Sequence, residues 1–282
     1  MTNAPARIAF CALLLPLAAW ADPASQPGPF ELSLGGSVGI PRGYVQVREN
    51  QLQGAHLSLH GDLGIDTVES VTAAAAYHLT PNDSLRLIFD SIFLYGSSTL
   101  SQDVLYNGAL LQGGTTAQSR PEFFRVTGLY ERRLFDLPCG GHLAGDIGLN
   151  YAYLNFKING TVSPQSPGGG ETQEDFYAQA LPVPTLGISV EEPISERTSF
   201  IGSVLGGYLP LVDSLRTEGG TVDFSQSNVD LLLGLRYALT PALDLRGGYA
   251  FHYFTQHETS HEDGNYFQLW DNDFTVALLY RF

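Results

Sequence analysis

The last ten residues of the chain alternate between two kinds of side chain. Large apolar residues share one parity, at Phe274, Val276, Leu278, Tyr280 and Phe282, while Asp273, Thr275, Ala277, Leu279 and Arg281 share the other. Successive side chains of a β-strand point to opposite faces, so this strand has one apolar face and, apart from Leu279, one small or polar face. An amphipathic strand of this length is typical of the wall of a transmembrane β-barrel.

Two preceding segments carry the same alternation, at Val229–Leu239 and Leu243–Tyr253. Earlier candidate strands are Phe30–Ile40, His56–Ile65, Val68–Leu79, Ser84–Tyr95, Phe123–Leu134, His142–Lys157, Phe176–Val190 and Thr198–Leu209. Ala73–Ala76 fits a strand with small residues inside, and Pro182 and Pro184 require a bulge or a strand end because proline cannot donate to the ladder. The sequence thus predicts an all-β fold, an antiparallel transmembrane β-barrel over residues 30–282.

The connections between these strands are of two alternating kinds. Short turns are predicted at 80–83, 136–141, 193–196 and 240–242, and long polar loops at 97–120, 159–174, 213–226 and 255–268. Short periplasmic turns and long external loops are the usual arrangement in outer-membrane barrels. With Phe282 at the periplasmic end, an even strand number gives ten strands or twelve. Twelve requires an additional strand at Tyr44–Leu52, and ten leaves Phe30–Ile40 or His56–Ile65 outside the wall.

The N-terminus is predicted to be an export signal. Arg7, an apolar stretch at Ile8–Ala18 and the small residues Ala19 and Ala21 indicate a secretory signal peptide at 1–21, followed by a linker at 22–29. Cleavage leaves Cys139 as the single cysteine, so no internal disulfide is expected. The net charge of −15 excludes nucleic acid as a plausible partner, and the composition suggests no cofactor.

The terminal pattern of Phe274, Val276, Leu278, Tyr280 and Phe282 resembles the C-terminal signature of Gram-negative outer-membrane β-barrel proteins. The resemblance extends over the mature chain at the level of pattern. It implies location in the bacterial outer membrane, contact with its lipid and lipopolysaccharide, and recognition of the last strand by the barrel-assembly machinery.

Charged residues are predicted to face the lumen, at Arg86, Asp90, Asp146, Asp230, Arg236, Asp244, Arg246, Asp273 and Arg281. If Leu239 pairs with Leu243 across their turn, Arg236 lies opposite Arg246, with Asp244 on the diagonal. Two interpretations follow from this set. The charges form a salt-bridge network in a filled lumen, or they line a narrow passage for small solutes.

Two other groups of residues contain side chains of the kinds used in catalysis or metal binding. His56, Ser58, His60 and Asp62 would share one face of a strand, and His56-x-Ser58 resembles the pair of outer-membrane lipid hydrolases, in which histidine activates serine; here Leu59 replaces the asparagine that follows the serine in those families. A transition metal would be suited only if a helix carried His257, Glu258, His261, Glu262 and Asp263, and no metal site is predicted.

The expected function is a structural or narrow-passage barrel, with a lipid or lipid A hydrolase as the alternative.

Overall fold

The computed structural model describes residues 28–49, 52–166, 176–178, 181–217, 220–261 and 263–282. The predicted signal peptide and residues 22–27 of the linker lie outside this part of the chain. No helix in the described ranges is long and apolar enough to cross a membrane.

Ten strands form a closed antiparallel barrel, and this confirms the smaller of the two predicted strand numbers. Each strand pairs with the next, and the first pairs with the last. The wall strands are β1 (Phe30–Glu49), β2 (Val68–Thr80), β3 (Asp83–Phe93), β4 (Glu122–Asp136), β5 (His142–Phe156), β6 (Val183–Pro193), β7 (Thr198–Thr217), β8 (Thr221–Ala238), β9 (Leu243–Thr259) and β10 (Asp263–Arg281).

Period-two alternation divides each strand between the lumen and the outer surface. On β10 the terminal signature faces outward, where Phe274 is 63% exposed and Phe282 is 51% exposed, while Leu279 of the opposite parity is fully buried inside. Large apolar side chains are exposed in the same way around the whole wall, for example Leu34, Leu87, Ile147, Leu186 and Leu233. A monomeric protein in water rarely exposes so large an apolar surface, so the outer face is a lipid-facing belt.

The ends of the barrel differ in the length of their connections, as predicted. At one end, which we call periplasmic, residues 81–82, 137–141, 194–197 and 239–242 join consecutive strands. Leu239 donates its N–H to the carbonyl of Leu243, and Arg236 lies opposite Arg246, which confirms the predicted register of this hairpin.

The predicted external loops at 213–226 and 255–268 are wrong for most of their length. The β7–β8 and β9–β10 hairpins continue through these segments, because β7 ends at Thr217, β8 begins at Thr221, β9 ends at Thr259 and β10 begins at Asp263. The polar composition of these segments suggested loops, but apolar and polar residues still alternate in them. Val222, Phe224 and Phe267 are fully buried on the inner side of the lengthened strands. Part of the predicted loop at 159–174 lies outside the described residues.

The predicted strand His56–Ile65 is also wrong. Only Leu57–Ser58 pairs with β1, after which the chain turns, and the N–H groups of Asp62 and Leu63 donate to the carbonyl of Ser58. Gly64 has φ +64, a conformation that favours glycine. The alternating Leu57, Leu59, Leu63 and Ile65 are buried in a core within the barrel mouth, so their period of two reflects that packing. Tyr44–Leu52 is not an additional wall strand, because β1 runs on to Glu49.

Apolar side chains fill the extracellular end of the lumen. The inner faces of β1, β4, β5, β9 and β10 enclose short strands at Gly96–Thr99, Val104–Tyr106, Ala109–Leu111 and Thr116–Ser119, together with residues 57–65. We call this packed unit the cap; its core includes Leu59, Ile65, Leu111, Phe123, Phe156, Phe254 and Phe267. The predicted polar loop at 97–120 is therefore largely a folded part of the cap.

The free thiol of Cys139 lies exposed in the β4–β5 turn and permits a test of orientation. In intact cells a large maleimide that cannot cross the outer membrane is expected to leave Cys139 unmodified, and permeabilising that membrane should allow modification. A hydrogen bond to Glu192 raises the pKa of the Cys139 thiol, so labelling is performed at alkaline pH. In a Cys139→Ser background, Ser101→Cys in the exposed cap should react in intact cells; the reverse pattern would contradict the assigned orientation.

Candidate functional site: the charged barrel lumen

Below the cap, the inner faces of the strands carry charged side chains at two levels. The wall residues predicted to line the lumen all have inward parity and are buried or half-buried: Arg86, Asp90, Asp146, Asp230, Arg236, Asp244, Arg246, Asp273 and Arg281. The structure adds charged or titratable partners that the sequence analysis did not identify: Glu31, Arg125, Glu131, Glu191, His252 and Asp271.

The level nearer the periplasm is a network of ion pairs. Arg236 binds Glu191 through Nη1 at 2.7 Å and lies 3.6 Å from Asp244 through Nε. Arg281 binds Asp244 as well, and Glu31 lies 3.5 Å from both Arg281 and Arg246. Each of the opposed residues Arg236 and Arg246 thus has a carboxylate partner, which offsets the repulsion between their guanidinium groups. We call this set the periplasmic charge layer.

A second pair belongs to the same layer on the other side of the lumen. Arg86 on β3 donates to Glu131 on β4 at 2.8 Å, and the Ser84 hydroxyl donates to the same carboxylate. Asp146 lies opposite Glu131 on β5, and its Oδ1 is buried with no hydrogen-bond partner in the described chain. The layer thus contains both compensated pairs and a carboxylate oxygen without a donor.

The upper level, which we call the mid-lumen cluster, consists of Asp90, Arg125, Asp230, His252, Asp271 and Asp273. Arg125 reaches across the lumen from β4 to β8, where its Nη1 lies 2.9 Å from Asp230 Oδ1, and its Nη2 lies 3.4 Å from Asp90. Thr72 donates to Asp90 at 2.7 Å. The side chain of Arg125 is 7% exposed, so this is a buried guanidinium shared by two carboxylates.

On the other side of the cluster, fewer donors compensate the negative charge of the carboxylates. His252 Nδ1 lies 2.6 Å from Asp230 Oδ1, and Asp273 accepts a hydrogen bond from the Ser37 hydroxyl. Asp271 and Asp273 are each 3% exposed, yet one oxygen of each is buried without a hydrogen-bond partner in the described ranges. A cavity of about 240 Å³ adjoins these groups and is also lined by Ser70, Thr127 and Phe254.

The proposed His56–Ser58 pair is not assembled as a catalytic arrangement. The Ser58 hydroxyl accepts the Gly61 N–H at 3.1 Å, and the Ser58 N–H donates to Asp62 at 2.8 Å. The His56 ring packs against the Tyr44 ring at a tilt of 32°, with ring centroids 3.8 Å apart. His60 instead pairs with exposed Asp66 at 2.9 Å. The expectation of one shared strand face is wrong because the segment turns after Ser58.

The helical metal site considered for His257 and His261 is excluded by the backbone. His257 and Glu258 belong to β9, so their side chains point to opposite faces, with His257 exposed and Glu258 buried. His261 is exposed beyond the strand, Glu262 lies outside the described residues, and no side-chain position is described for Asp263.

No protein-family model and no curated protein matches the chain. Among solved structures, the outer-membrane protease OmpT from Escherichia coli is similar with 11% identity and a TM-score of 0.50, covering 90% of this chain and 97% of that one. Neisserial surface protein A matches with 9% identity, 92% and 100% coverage, and a TM-score of 0.37. OprG from Pseudomonas aeruginosa matches with 10% identity, 93% and 99% coverage, and a TM-score of 0.33.

The likeness to OmpT concerns the fold alone. A closed antiparallel barrel with that fold, surrounded by a lipid-facing apolar belt, is a bacterial outer-membrane β-barrel. The outer membrane is accordingly the location of this chain, and the resemblance of its terminal strand to that class agrees with the architecture.

Proposed function

We propose that this protein is a structural, non-conducting barrel of the outer membrane that holds a folded cap at the cell surface. The contact that supports this most directly is between Phe123 on β4 and Phe254 on β9. These strands lie on opposite sides of the ten-stranded wall, yet the two ring centroids are 4.9 Å apart. The lumen is therefore spanned by side chains at this height.

Two further contacts support closure below that height. Arg125 spans the lumen to Asp230, and the periplasmic charge layer binds most of its guanidinium groups to carboxylates. A hydrated solute would have to displace buried apolar side chains and then break charge-assisted hydrogen bonds, which are stronger than neutral ones. The filled-lumen interpretation is favoured over the passage interpretation for this reason.

The surfaces of the barrel suit the partners expected from the sequence. The apolar belt fits lipid and the acyl chains of lipopolysaccharide, and the outward signature of β10 fits recognition by the barrel-assembly machinery during biogenesis. No arrangement among the described residues favours the hydrolase alternative, since the Ser58 hydroxyl accepts the Gly61 N–H and has no histidine partner.

Folded protein reconstituted in planar bilayers is expected to give no unitary conductance steps, because the cap excludes a continuous column of water. A general porin in the same lipid serves as the positive control for insertion. Heat-dependent mobility in gels and recovery of the protein from the bilayer preparation establish that the barrel is folded and inserted. Reproducible steps from such protein, scaling with its amount, would refute the non-conducting proposal.

A further inference from the structure

We propose that His252, Asp271 and Asp273 bind a divalent transition-metal ion inside the barrel. The candidate ligand atoms of these residues all lie within 4.8 Å of one another. Ligands about 2.1 Å from a tetrahedral ion lie roughly 3.4 Å apart, so small side-chain rotations are sufficient for coordination.

The three ligands are positioned by neighbouring strands in direct register. Asp230 on β8 is the partner of His252 on β9, which in turn is the partner of Asp271 on β10. Asp273 follows two residues later with the same inward parity. A rigid wall thus carries the ligands, which limits the entropy lost when an ion binds.

The strand on the other side of β10 leaves room for these carboxylates. β1 places Gly39 opposite Asp273 and Pro41 opposite Asp271, and neither residue offers a side-chain hydrogen-bond donor. A Cβ at Gly39 would lie 1.8 Å from Asp273 Oδ1, so any larger residue would displace this carboxylate. Glycine here allows the carboxylate to lie against the backbone.

The orphaned oxygen atoms are the independent evidence for a missing ligand. Asp271 Oδ1 and Asp273 Oδ1 are buried, and neither has a hydrogen-bond partner within the described chain. The other oxygen of Asp273 accepts one hydrogen bond, from the Ser37 hydroxyl, which is neutral. Burying an ionised carboxylate whose charge is not compensated is strongly unfavourable. A bound cation adjoining the cavity would compensate both groups at once.

The charges of the surroundings point to the same conclusion. Four carboxylates belong to the cluster, whereas Arg125 is its only arginine or lysine, and Arg125 is already directed at Asp90 and Asp230. Among the described residues, neither Asp271 nor Asp273 forms an ion pair with a guanidinium, and Arg86, which also lines the cavity, is bound to Glu131. A divalent ion would offset the combined charge of Asp271 and Asp273.

The outer contacts of His252 suit its use as a ligand. Its Nδ1 is bonded to Asp230, which leaves Nε2 available for a metal, and Asp230 is itself held by Arg125. A carboxylate bonded to the far nitrogen of a ligating histidine is the usual arrangement in metal sites, since it fixes the orientation of the ring. One imidazole and two carboxylates suit Zn²⁺ or Mn²⁺ better than Ca²⁺ or Mg²⁺, which prefer oxygen ligands alone.

The proposal is tested with the full-length folded barrel in detergent. The protein is stripped with a chelator, incubated or refolded with Zn²⁺ or with Mn²⁺ alone, dialysed and analysed for bound metal by mass spectrometry. A single ion per chain is expected. X-ray absorption at the metal edge should show imidazole coordination that His252→Gln removes.

Asp271→Asn and His252→Gln are expected to lose the ion while retaining the heat-dependent gel mobility of a folded barrel. Asp230→Asn should weaken binding roughly 10–100-fold, the usual effect of removing an outer partner. Asp146→Asn is the matched control, because Asp146 is also an inward carboxylate with a buried unpartnered oxygen but lies in the periplasmic charge layer. His257→Ala controls for binding by exposed histidine.

The wild-type barrel must retain Zn²⁺ or Mn²⁺, and only His252→Gln and Asp271→Asn should abolish this retention. The proposal is overturned if the stripped and reloaded wild type holds no more ion than Asp271→Asn, which would mean that the carboxylates are buried as neutral acids. It is equally overturned if Asp146→Asn or His257→Ala loses the ion as completely. If a cluster variant does not fold, the imidazole signature of the wild-type ion decides the question.

Discussion

Replacing Arg125 with methionine is expected to lower the free energy of unfolding by about 3–5 kcal/mol, as when one partner of a buried ion pair is removed. The Arg125 side chain is 7% exposed; it contacts Asp230 across the lumen and Asp90 on the neighbouring strand β3. Methionine retains most of the aliphatic volume but leaves both carboxylates without their guanidinium. The expected loss therefore comes from uncompensated buried charge.

The measurement is equilibrium unfolding by denaturant in lipid vesicles or micelles, monitored by tryptophan fluorescence. Arg132→Met is the matched control, because the Arg132 side chain is 63% exposed and lies 3.7 Å from Asp83. An exposed pair of this kind contributes about 0–1 kcal/mol. Equal losses in the two variants would show that Arg125 does not stabilise the lumen through its buried position.

A double variant separates charge from packing. Asp230→Asn in the Arg125→Met background removes one of the two carboxylates that lost their partner, so part of the stability should return. If the second change lowers stability further, the main contribution of Arg125 is contact with its aliphatic surroundings.

Truncating Phe254 to alanine is expected to destabilise the barrel by about 3–5 kcal/mol, the usual range for a buried phenylalanine. Phe254 is 2% exposed and packs against Phe123 and Phe267, with ring centroids 4.9 Å and 6.1 Å away. Its removal takes away the contact between opposite walls and leaves a cavity that the rigid strands cannot close.

The same unfolding measurement tests this change. Ile194→Ala, at a 64% exposed position in a periplasmic turn, is the control and should remain within about 0.5 kcal/mol of the wild type. A small effect of Phe254→Ala would indicate that the cap does not contribute to the stability of the wall.

The sequence was sufficient to predict the barrel because each wall strand has one face toward membrane lipid and the other toward a polar interior. Phe274 to Phe282 required a lipid face, and Asp273 and Arg281 required a polar interior, so parity alone assigned the direction of each side chain. Pairing of Leu239 with Leu243 then determined that Arg236 would face Arg246. Local geometry of this kind depends only on neighbouring strands.

The cap could not be predicted in this way. Its core is built from short segments that turn frequently, such as the one containing Leu59 and Ile65, and their alternation is the same as that of a wall strand. The long hairpins were missed because Gln226 and Gln256 are polar yet buried, whereas a polar stretch in sequence suggests a loop.

The mid-lumen cluster was only partly predicted. Asp90, Asp230 and Asp273 were assigned to the lumen one by one, but the contact between Arg125 and Asp230 depends on how strands face each other across the barrel. Arg125 was missed because Phe123 and Phe124 are both apolar and leave the parity of β4 ambiguous. Extending the last strand by two residues would have found Asp271, and counting histidine among lumen charges would have found His252.

The pairing of β1 with β10 has a consequence for the order in which the chain folds. This seam extends from the Glu31–Arg281 pair to the Glu49–Asp263 pair and joins the two most distant parts of the sequence in the wall. Contacts between distant segments form slowly because a long loop must be closed first. Until β10 pairs with it, β1 has a free edge that can pair with a strand of another chain. Chains that have not yet closed the barrel should therefore aggregate unless another protein covers that edge.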